Sequence, residues 1–244
     1  METYLKISMN EVFKKENSLY TIVNGPTWSE AEANANKLGG NLVSINSQEE
    51  DQFVWNNIGK SASLKGGEHN AYQSNHVFLG ANYSEQEGVW KWLDGSSFSY
   101  ENWAADQPDN YQYGENYLAY QSVHGVDDSG LYAGMWNNLR NDYYSEQLEN
   151  SHIYGIAEIP FIQREDSAYV IVEGPTWEEA EANANKLGGH LVTINDADEN
   201  NWIVEEFSKE KYYYDGDSNP WDPETWSHFW IGATDKNTEG SWEW

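Results

Sequence analysis

Oxygen-bearing side chains recur in two short stretches near the middle of the sequence. Gln107 and Asp109 flank a proline, Glu115 follows six residues later, and Asn137 and Asn138 form a pair further on. Carboxylate and amide oxygens, about 6–8 of them, are the ligands that Ca²⁺ prefers. The two carboxylates can balance the charge of the ion, while the amides orient it without adding repulsion. The sequence therefore predicts a calcium site with these five residues as metal ligands.

The proline gives a physical reason for the spacing of the first two residues. A bond that precedes proline adopts the cis form far more readily than other peptide bonds do. A cis bond before Pro108 would aim Gln107 and Asp109 at one point. Gln-Pro-Asp alone is an ordinary turn sequence, so the prediction depends on the neighbouring residues as well.

Other polar and aromatic residues have simpler interpretations. The stretch 215–222 resembles a calcium loop, but Pro220 stands where an EF-hand needs glycine, which favours a solvated acidic loop. Asp127 and Asp128 fit either a turn or a secondary cation site. The six histidines show no metal-binding spacing. We expect these tryptophans to pack in the core: Trp90, Trp92, Trp103, Trp136, Trp242 and Trp244.

Composition and missing motifs exclude several classes of function. The formal net charge of −28 argues against nucleic acid and anionic lipid as partners, and no apolar run is long enough to cross a membrane. The chain has no cysteine, phosphate-binding glycine loop, His-Glu-x-x-His motif or nucleophile elbow. We therefore predict that the protein is not an enzyme. The amino terminus lacks the features of a secretory signal, so we expect another export signal or a piece of a longer chain.

The elements that must position these residues can be predicted from capping and periodicity. Thr27 and Glu30 form a capping box that begins a helix, and Gly39-Gly40 ends it. Ser47 and Glu50 begin a second helix in the same way. Strands are expected at 21–23, 42–45, 77–81, 89–93 and 153–159. Two helices packed on small antiparallel sheets, with a long loop region, indicate an α+β fold.

The chain also repeats itself. Residues 20–46 and 169–195 differ at only five of 27 positions, and 77–92 faces 229–244 more loosely. We therefore predict a tandem repeat with an incomplete second copy, which suggests a longer natural protein. The predicted organisation is an N-terminal segment 1–16, a first domain 17–160, a linker 161–167 and a partial second domain 168–244.

These residues, taken in order, resemble the C-type lectin-like domain family. The resemblance rests on LGG-[NH]-LV-[ST]-I, FLGA and WIGA, WKWLDGSSFSYENW, Gln107-Pro108-Asp109, Glu115-Asn116, Trp136-Asn137 and YGIAEI. It implies the C-type lectin fold, in a cysteine-free member of bacterial or phage-like type. The resemblance places the family's two disulfides at Ala35 with Ala157 and near Tyr117 with Asn141, so both bridges are missing as whole pairs.

The same resemblance implies a sugar site. In such lectins Ca²⁺ keeps open positions for two vicinal sugar hydroxyls, and the Gln-Pro-Asp order is associated with galactose-type sugars, Glu-Pro-Asn with mannose-type. Galactose presents an apolar face that suits an aromatic platform, for which Tyr111 is expected and Tyr113 is a second candidate. Asn138 stands where the family has an acidic residue, which should weaken calcium binding. The implied carbohydrate-binding residues are Gln107, Asp109, Tyr111, Glu115 and Asn137.

The favoured interpretation is a calcium-dependent carbohydrate-binding module, with galactose-type preference, in a secreted or cell-surface adhesion protein. Tandem copies would add avidity, although we expect no sugar binding by 167–244. The alternative is a scaffold that binds no sugar and instead binds a protein ligand or decorates a surface, filament or particle, which Asn138 would favour. A calcium-stabilised adhesion module without sugar contact is a third interpretation. Further domains of a longer chain would be additional partners.

Overall fold

The computed structural model describes residues 11–64, 76–84, 89–110, 114–121, 131–142, 154–207 and 229–244. The chain divides into two units, the first comprising residues 1–173 with 186–188 and the second 174–185 with 189–244. Each unit is described by itself. None of the described helices is both long and apolar enough to span a membrane.

The first unit is built on one sheet whose strands are ordered β1-β2-β8-β4-β6-β7, with β3 on β8 and β5 on β4. Strand β8 is central, because it pairs with β2 along seven residues, with β3, and in parallel with β4. The other pairs within this sheet are antiparallel. The strands are β1 Phe13–Lys15, β2 Ser18–Asn24, β3 Asn41–Leu42, β4 Val77–Ser84, β5 Val89–Trp92, β6 Tyr117–Tyr120, β7 Trp136–Leu139 and β8 Tyr154–Pro160.

Two of the helices of the first unit begin where the capping boxes predict. The helices are α1 Trp28–Lys37, α2 Gln48–Val54 and α3 Lys60–Leu64, with a π-helical turn Trp55–Gly59 between the last two. The hydroxyls of Thr27 and Ser47 accept hydrogen bonds from the N–H groups of Glu30 and Glu50, at 3.1 and 3.2 Å. Both predicted N-caps are thus confirmed.

The expected strand 42–45 is shorter than predicted. Strand β3 covers only Asn41–Leu42. The backbone of the next residue, Val43, bonds to two different strands, so it does not continue the pairing of β3 with β8. The N–H of Val43 donates to the carbonyl of Ile156 at 2.8 Å, and its own carbonyl accepts from Gly80 at 2.8 Å.

Apolar packing occupies the positions at which the resemblance places disulfides. Ala35 of α1 and Ala157 of β8 are both fully buried in one apolar cluster. At the second position, the ring of Tyr117 lies 4.7 Å from that of Trp28. The carbonyl of Asn141 accepts a hydrogen bond from the N–H of Trp28 at 3.1 Å. Burial and capping therefore hold α1 on the sheet without a covalent link.

The aromatic core of the first unit agrees with the sequence. Trp92 and Trp136 are buried, with ring centroids 5.7 Å apart, and Trp90 and Trp103 are half-buried beside them. His76 is buried, and burial lowers its pKa to about 4, so at neutral pH it is an uncharged core residue.

The second unit carries helices that repeat those of the first. They are α4 Trp177–Lys186 and α5 Ala197–Phe207. A hairpin of β9 Ile162–Arg164 and β10 Ser167–Tyr169 precedes them in the chain and belongs to the first unit. Strand β9 falls within the proposed linker 161–167. The expectation that Trp242 and Trp244 lie in the core is wrong, because no described strand of the second unit covers them and they are 68% and 57% exposed.

Candidate functional site

The loop that carries Gln107 is attached to the first residue of β7. The N–H of Trp136 donates to the carbonyl of Asn102 at 2.7 Å, and the carbonyl of Trp136 accepts from Ala104 at 2.9 Å. The N–H of Gln107 then donates to the carbonyl of Ala104 at 3.1 Å. The sheet therefore fixes the backbone immediately before the Gln-Pro-Asp stretch.

Two residues with positive φ bracket this stretch. Asp106 has φ of 64° and Asn110 has φ of 50°, values that aspartate and asparagine tolerate better than most residues do. The Gln107–Pro108 bond between them is cis. The side-chain oxygen of Asn110 accepts a hydrogen bond from the N–H of Glu115 at 3.1 Å, which closes the loop on Glu115.

The side chain of Asn138 is hydrogen-bonded to both Asp109 and Glu115. Its side-chain oxygen accepts from the N–H of Asp109 at 3.2 Å, and its amide nitrogen donates to the carbonyl of Glu115 at 3.0 Å. The residue is 1% exposed, and its own N–H donates to the side-chain oxygen of Asn137 at 3.0 Å. The structure thus brings Asp109, Glu115, Asn137 and Asn138 into one hydrogen-bonded group.

The donor atoms of this group fit a hard cation. Asp109 is exposed and Glu115 is buried. The side-chain oxygen of Gln107 is buried, and no described residue donates a hydrogen bond to it. Leaving such an oxygen without a partner costs about 1–3 kcal/mol, and a cation is a partner that would satisfy it. The residues present therefore fit calcium.

Several predicted residues cannot be placed in the site. Tyr111 and Tyr113 lie outside the described residues, as do Asp127, Asp128 and 215–222. Among the described residues, no group of three or more His, Cys, Asp or Glu could hold a metal. This agrees with a candidate set that has two carboxylates and is otherwise made of amides.

The carboxylate of Asp51, whose burial the sequence analysis missed, accepts hydrogen bonds from Asn102 and Trp136, the residues that anchor the Gln107 loop. Asp51 of α2 is 4% exposed and accepts four side-chain hydrogen bonds. The donors are Tyr120 at 2.6 Å, Asn102 at 2.7 Å, Tyr100 at 3.1 Å and Trp136 at 3.2 Å. Burial raises the pKa of Asp51, and these hydrogen bonds oppose the shift. Only its place in the first turn of α2 was readable from sequence, and that position gave no sign of burial.

An acidic cleft with a volume of about 230 Å³ lies beside β1 and β2, at the edge of the sheet opposite β7. The hydroxyl of Tyr20 lies 3.1 Å from a carboxylate oxygen of Glu158 and 3.3 Å from one of Glu50. Burial, together with the negative charge of Glu50, raises the pKa of Glu158. This cleft shares no described residue with the Gln107 site.

Several known proteins are similar to parts of this chain. The galactose-specific lectin nattectin of Thalassophryne nattereri is 37% identical over 84 residues, 34% of this chain and 47% of that protein. The type-2 ice-structuring protein of Hemitripterus americanus is 34% identical over 92 residues, 38% and 47%. Asialoglycoprotein receptor 2 of Rattus norvegicus is 30% identical over 116 residues, 47% and 32%. The matches span about half or less of each relative's length.

Solved structures that resemble this chain include the cow C-type carbohydrate-recognition domain of CD23, with a TM-score of 0.45 and 20% identity, covering 62% of this chain and 95% of that one. Human lithostathine has a TM-score of 0.46 and 18% identity, covering 61% and 96%.

The sequence model of the Lectin C-type domain matches residues 24–140 and 173–244, which is most of the chain. Relatives in this family bind carbohydrate or have structural roles and are not enzymes, which confirms the prediction made from the missing motifs. The predicted α+β C-type lectin fold is likewise confirmed. The protein belongs to the C-type lectin domain family.

Proposed function

We propose that the protein is a calcium-dependent carbohydrate-binding module with a preference for galactose-type sugars, acting in a secreted or cell-surface adhesion protein. Gln107, Asp109, Glu115, Asn137 and Asn138 would hold the calcium, and Tyr111 would offer the sugar an aromatic face. When bound, the ion would supply positive charge and coordination positions for sugar hydroxyls. The same side chains would orient those hydroxyls by hydrogen bonding.

The observation that carries this proposal is the side-chain oxygen of Gln107. It is buried and lacks a hydrogen-bond donor among the described residues, although the backbone around it is held firmly by β7. An oxygen held without a partner by a rigid framework is expected where a ligand completes its bonding. Gln107 is also the first residue of the stretch on which the sugar preference rests.

The galactose preference has two sources of support. One is the order of the side chains, with the amide at Gln107 before the carboxylate at Asp109. The other is a relative described as a galactose-specific lectin, 37% identical over 84 residues. That similarity covers 47% of the relative, so its specificity enters here only as support for the proposal.

The second candidate function is a scaffold that binds a protein ligand or decorates a surface and contacts no sugar. It is favoured by Asn138, whose buried amide already has a backbone partner at each end. It is also favoured by similarity to a protein named for ice structuring. On this alternative, the hydrogen bonds of Asn138 hold the backbone of Asp109 and Glu115 in place and calcium is unnecessary.

Calcium titration of the full chain separates these candidates. Metal-free protein would be titrated with Ca²⁺ in a calorimeter, together with Gln107→Ala and the matched control Gln52→Ala, which changes an exposed glutamine on α2. We expect saturable binding that Gln107→Ala weakens by about tenfold or more, a loss of about 1.4 kcal/mol, and that Gln52→Ala leaves unchanged. Equal binding by both variants would refute a role for Gln107. No binding at millimolar calcium would favour the scaffold.

A further inference from the structure

The two carboxylate oxygens of Asp51 each accept two side-chain hydrogen bonds. Oδ1 accepts from the hydroxyl of Tyr120 and the indole N–H of Trp136. Oδ2 accepts from the hydroxyl of Tyr100 and the amide of Asn102. An ionised carboxylate offers about four acceptor positions and no donor, so its ionised form matches this set of donors. A neutral amide at the same place would turn an N–H group towards two of them.

Two of these donor residues also bond to each other. The carbonyl of Asn102 accepts from the N–H of Trp136 at 2.7 Å, so Asp51, Asn102 and Trp136 form a closed ring of three hydrogen bonds. The amide of Asn102 donates in addition to the carbonyl of Gly134 at 3.2 Å. A connected network of this kind leaves less freedom than a single pair does, so Asp51 fixes the backbone at both positions.

Both halves of the candidate calcium site begin at this ring. On one side, the carbonyl of Trp136 accepts from the N–H of Ala104 at 2.9 Å, and the carbonyl of Ala104 accepts from the N–H of Gln107 at 3.1 Å. On the other side, residues 137–138 directly follow Trp136 in β7. Asp51 therefore holds the residues from which both ligand-bearing segments extend.

The buried side-chain oxygen of Gln107 requires such a support. No described residue donates to it, and a buried acceptor without a donor is costly. The loop would remove that cost by turning the amide towards water, unless its backbone is held in place. Asp106 and Pro108, on either side, are exposed, so packing against the core does not hold them. The support has to come from the hydrogen bonds that lead back to Trp136 and Asp51.

We propose that Asp51 is a positioning residue for the calcium site, whose carboxylate keeps the side-chain oxygen of Gln107 in its binding arrangement before the ion arrives. This inference rests on the proposed function, because it takes Gln107 to be a calcium ligand. Asp51 would contribute through Asn102 and Trp136 and not by touching the ion. Without the carboxylate, the loop would have to be ordered when calcium binds, and that entropy cost would lower the affinity.

Amide hydrogen exchange of the full chain in chelator tests the positioning without any ligand. The variant is Asp51→Asn, which keeps the size of the side chain and one acceptor oxygen. Exchange would be followed at the N–H groups of Ala104 and Gln107, with the N–H of Val43, which donates to β8, as the reference. We expect the ratio of the two loop rates to the Val43 rate to rise by about tenfold in the variant.

Calcium titration of the same proteins tests the consequence for binding. We expect Asp51→Asn to raise the calcium dissociation constant by about tenfold. The control is Ile159→Val, which removes one carbon from a fully buried residue of β8 in a different apolar cluster from Trp136. This control lowers overall stability but should leave both calcium affinity and the exchange ratio nearly unchanged. A merely structural role of Asp51 would make the two variants behave alike.

A second variant keeps the test decisive if Asp51→Asn fails to fold. Asn102→Ala leaves the carboxylate of Asp51 in place and removes only the amide that joins it to the loop. We expect its calcium dissociation constant to rise by about fivefold, with little further rise when Asp51→Asn is added, because both changes open the same ring. Fully additive effects of the two changes would contradict the proposal.

Two further results would overturn the inference. One is an unchanged exchange ratio in Asp51→Asn, which would show that the loop is held without the carboxylate. The other is equal calcium affinity in the wild type and Asp51→Asn, which would refute this inference alone. A wild-type chain that binds no calcium would refute the proposed function and this inference with it.

Discussion

The side-chain oxygen of Asn138 lies 3.2 Å from the backbone nitrogen of Asp109 and accepts its hydrogen bond. The same amide donates to the carbonyl of Glu115 at 3.0 Å. One buried side chain of β7 thus fixes the backbone of both carboxylate-bearing residues of the candidate site. Asn138 has a structural role here that is separate from any role as a calcium ligand.

Asn138→Asp separates these two roles. The aspartate would lose the donor to the Glu115 carbonyl, so in chelator we expect the free energy of unfolding to fall by about 1–3 kcal/mol. The added negative charge should at the same time tighten calcium binding by about tenfold. Urea unfolding and calcium titration measure the two effects. Asn201→Asp, which adds the same charge at an exposed position of α5, is the control. Calcium binding that weakens in Asn138→Asp would contradict the account.

Exchanging the side chains at Gln107 and Asp109 should change sugar preference. The double variant Gln107→Glu, Asp109→Asn keeps the net charge and the oxygen ligands but reverses the positions of amide and carboxylate. We expect preference to move from galactose to mannose by about tenfold or more, with calcium affinity nearly unchanged. Competition binding with the two sugars is the measurement. An unaltered ratio would show that these residues do not set specificity.

Removing the carboxylate of Asp51 should destabilise the first unit. Asp51→Ala would remove the carboxylate acceptor from four donors, of which Tyr120 and Trp136 are buried, and we expect a loss of about 2–5 kcal/mol. Asp51→Asn keeps one acceptor oxygen and should lose less. The exposed neighbour Glu49→Ala is the matched control, with a change within about 0.5 kcal/mol. Urea unfolding followed by tryptophan fluorescence tests this, and equal stability of the two alanine variants would refute it.

The acidic cleft should make stability depend on pH. Because burial and Glu50 raise the pKa of Glu158, the folded state binds its proton more tightly than the unfolded chain does. This contribution to stability is therefore present in full below about pH 4.5 and is lost as pH rises through the folded pKa. Glu158→Gln should remove that dependence and raise stability near neutral pH. Unfolding free energies at several pH values check this, and identical slopes for wild type and variant would contradict it.

Local chemistry made much of the fold predictable. Helix capping by Thr27 and Ser47 depends on pairs of residues three positions apart, so the local sequence is sufficient to predict it. The grouping of Asp109, Glu115 and Asn138 followed from the ordered motifs of the family, and the structure brings these residues together through hydrogen bonds.

Long-range relationships were not predictable in the same way. The hydrogen-bond donors to Asp51 lie 49 to 85 positions away in the sequence, so the residues near Asp51 do not predict that it is buried. Trp242 and Trp244 match the half-buried Trp90 and the buried Trp92 in sequence, yet they are 68% and 57% exposed. The bacterial or phage-like origin, the domain boundaries and the roles of the site residues stay predictions.

Galactose titration of the full chain, first in calcium and then in excess chelator, tests the central claim most directly. The account predicts saturable galactose binding in calcium, weaker mannose binding, and loss of both in chelator. Galactose binding that persists in chelator, or no sugar response in calcium-saturated protein, would contradict it.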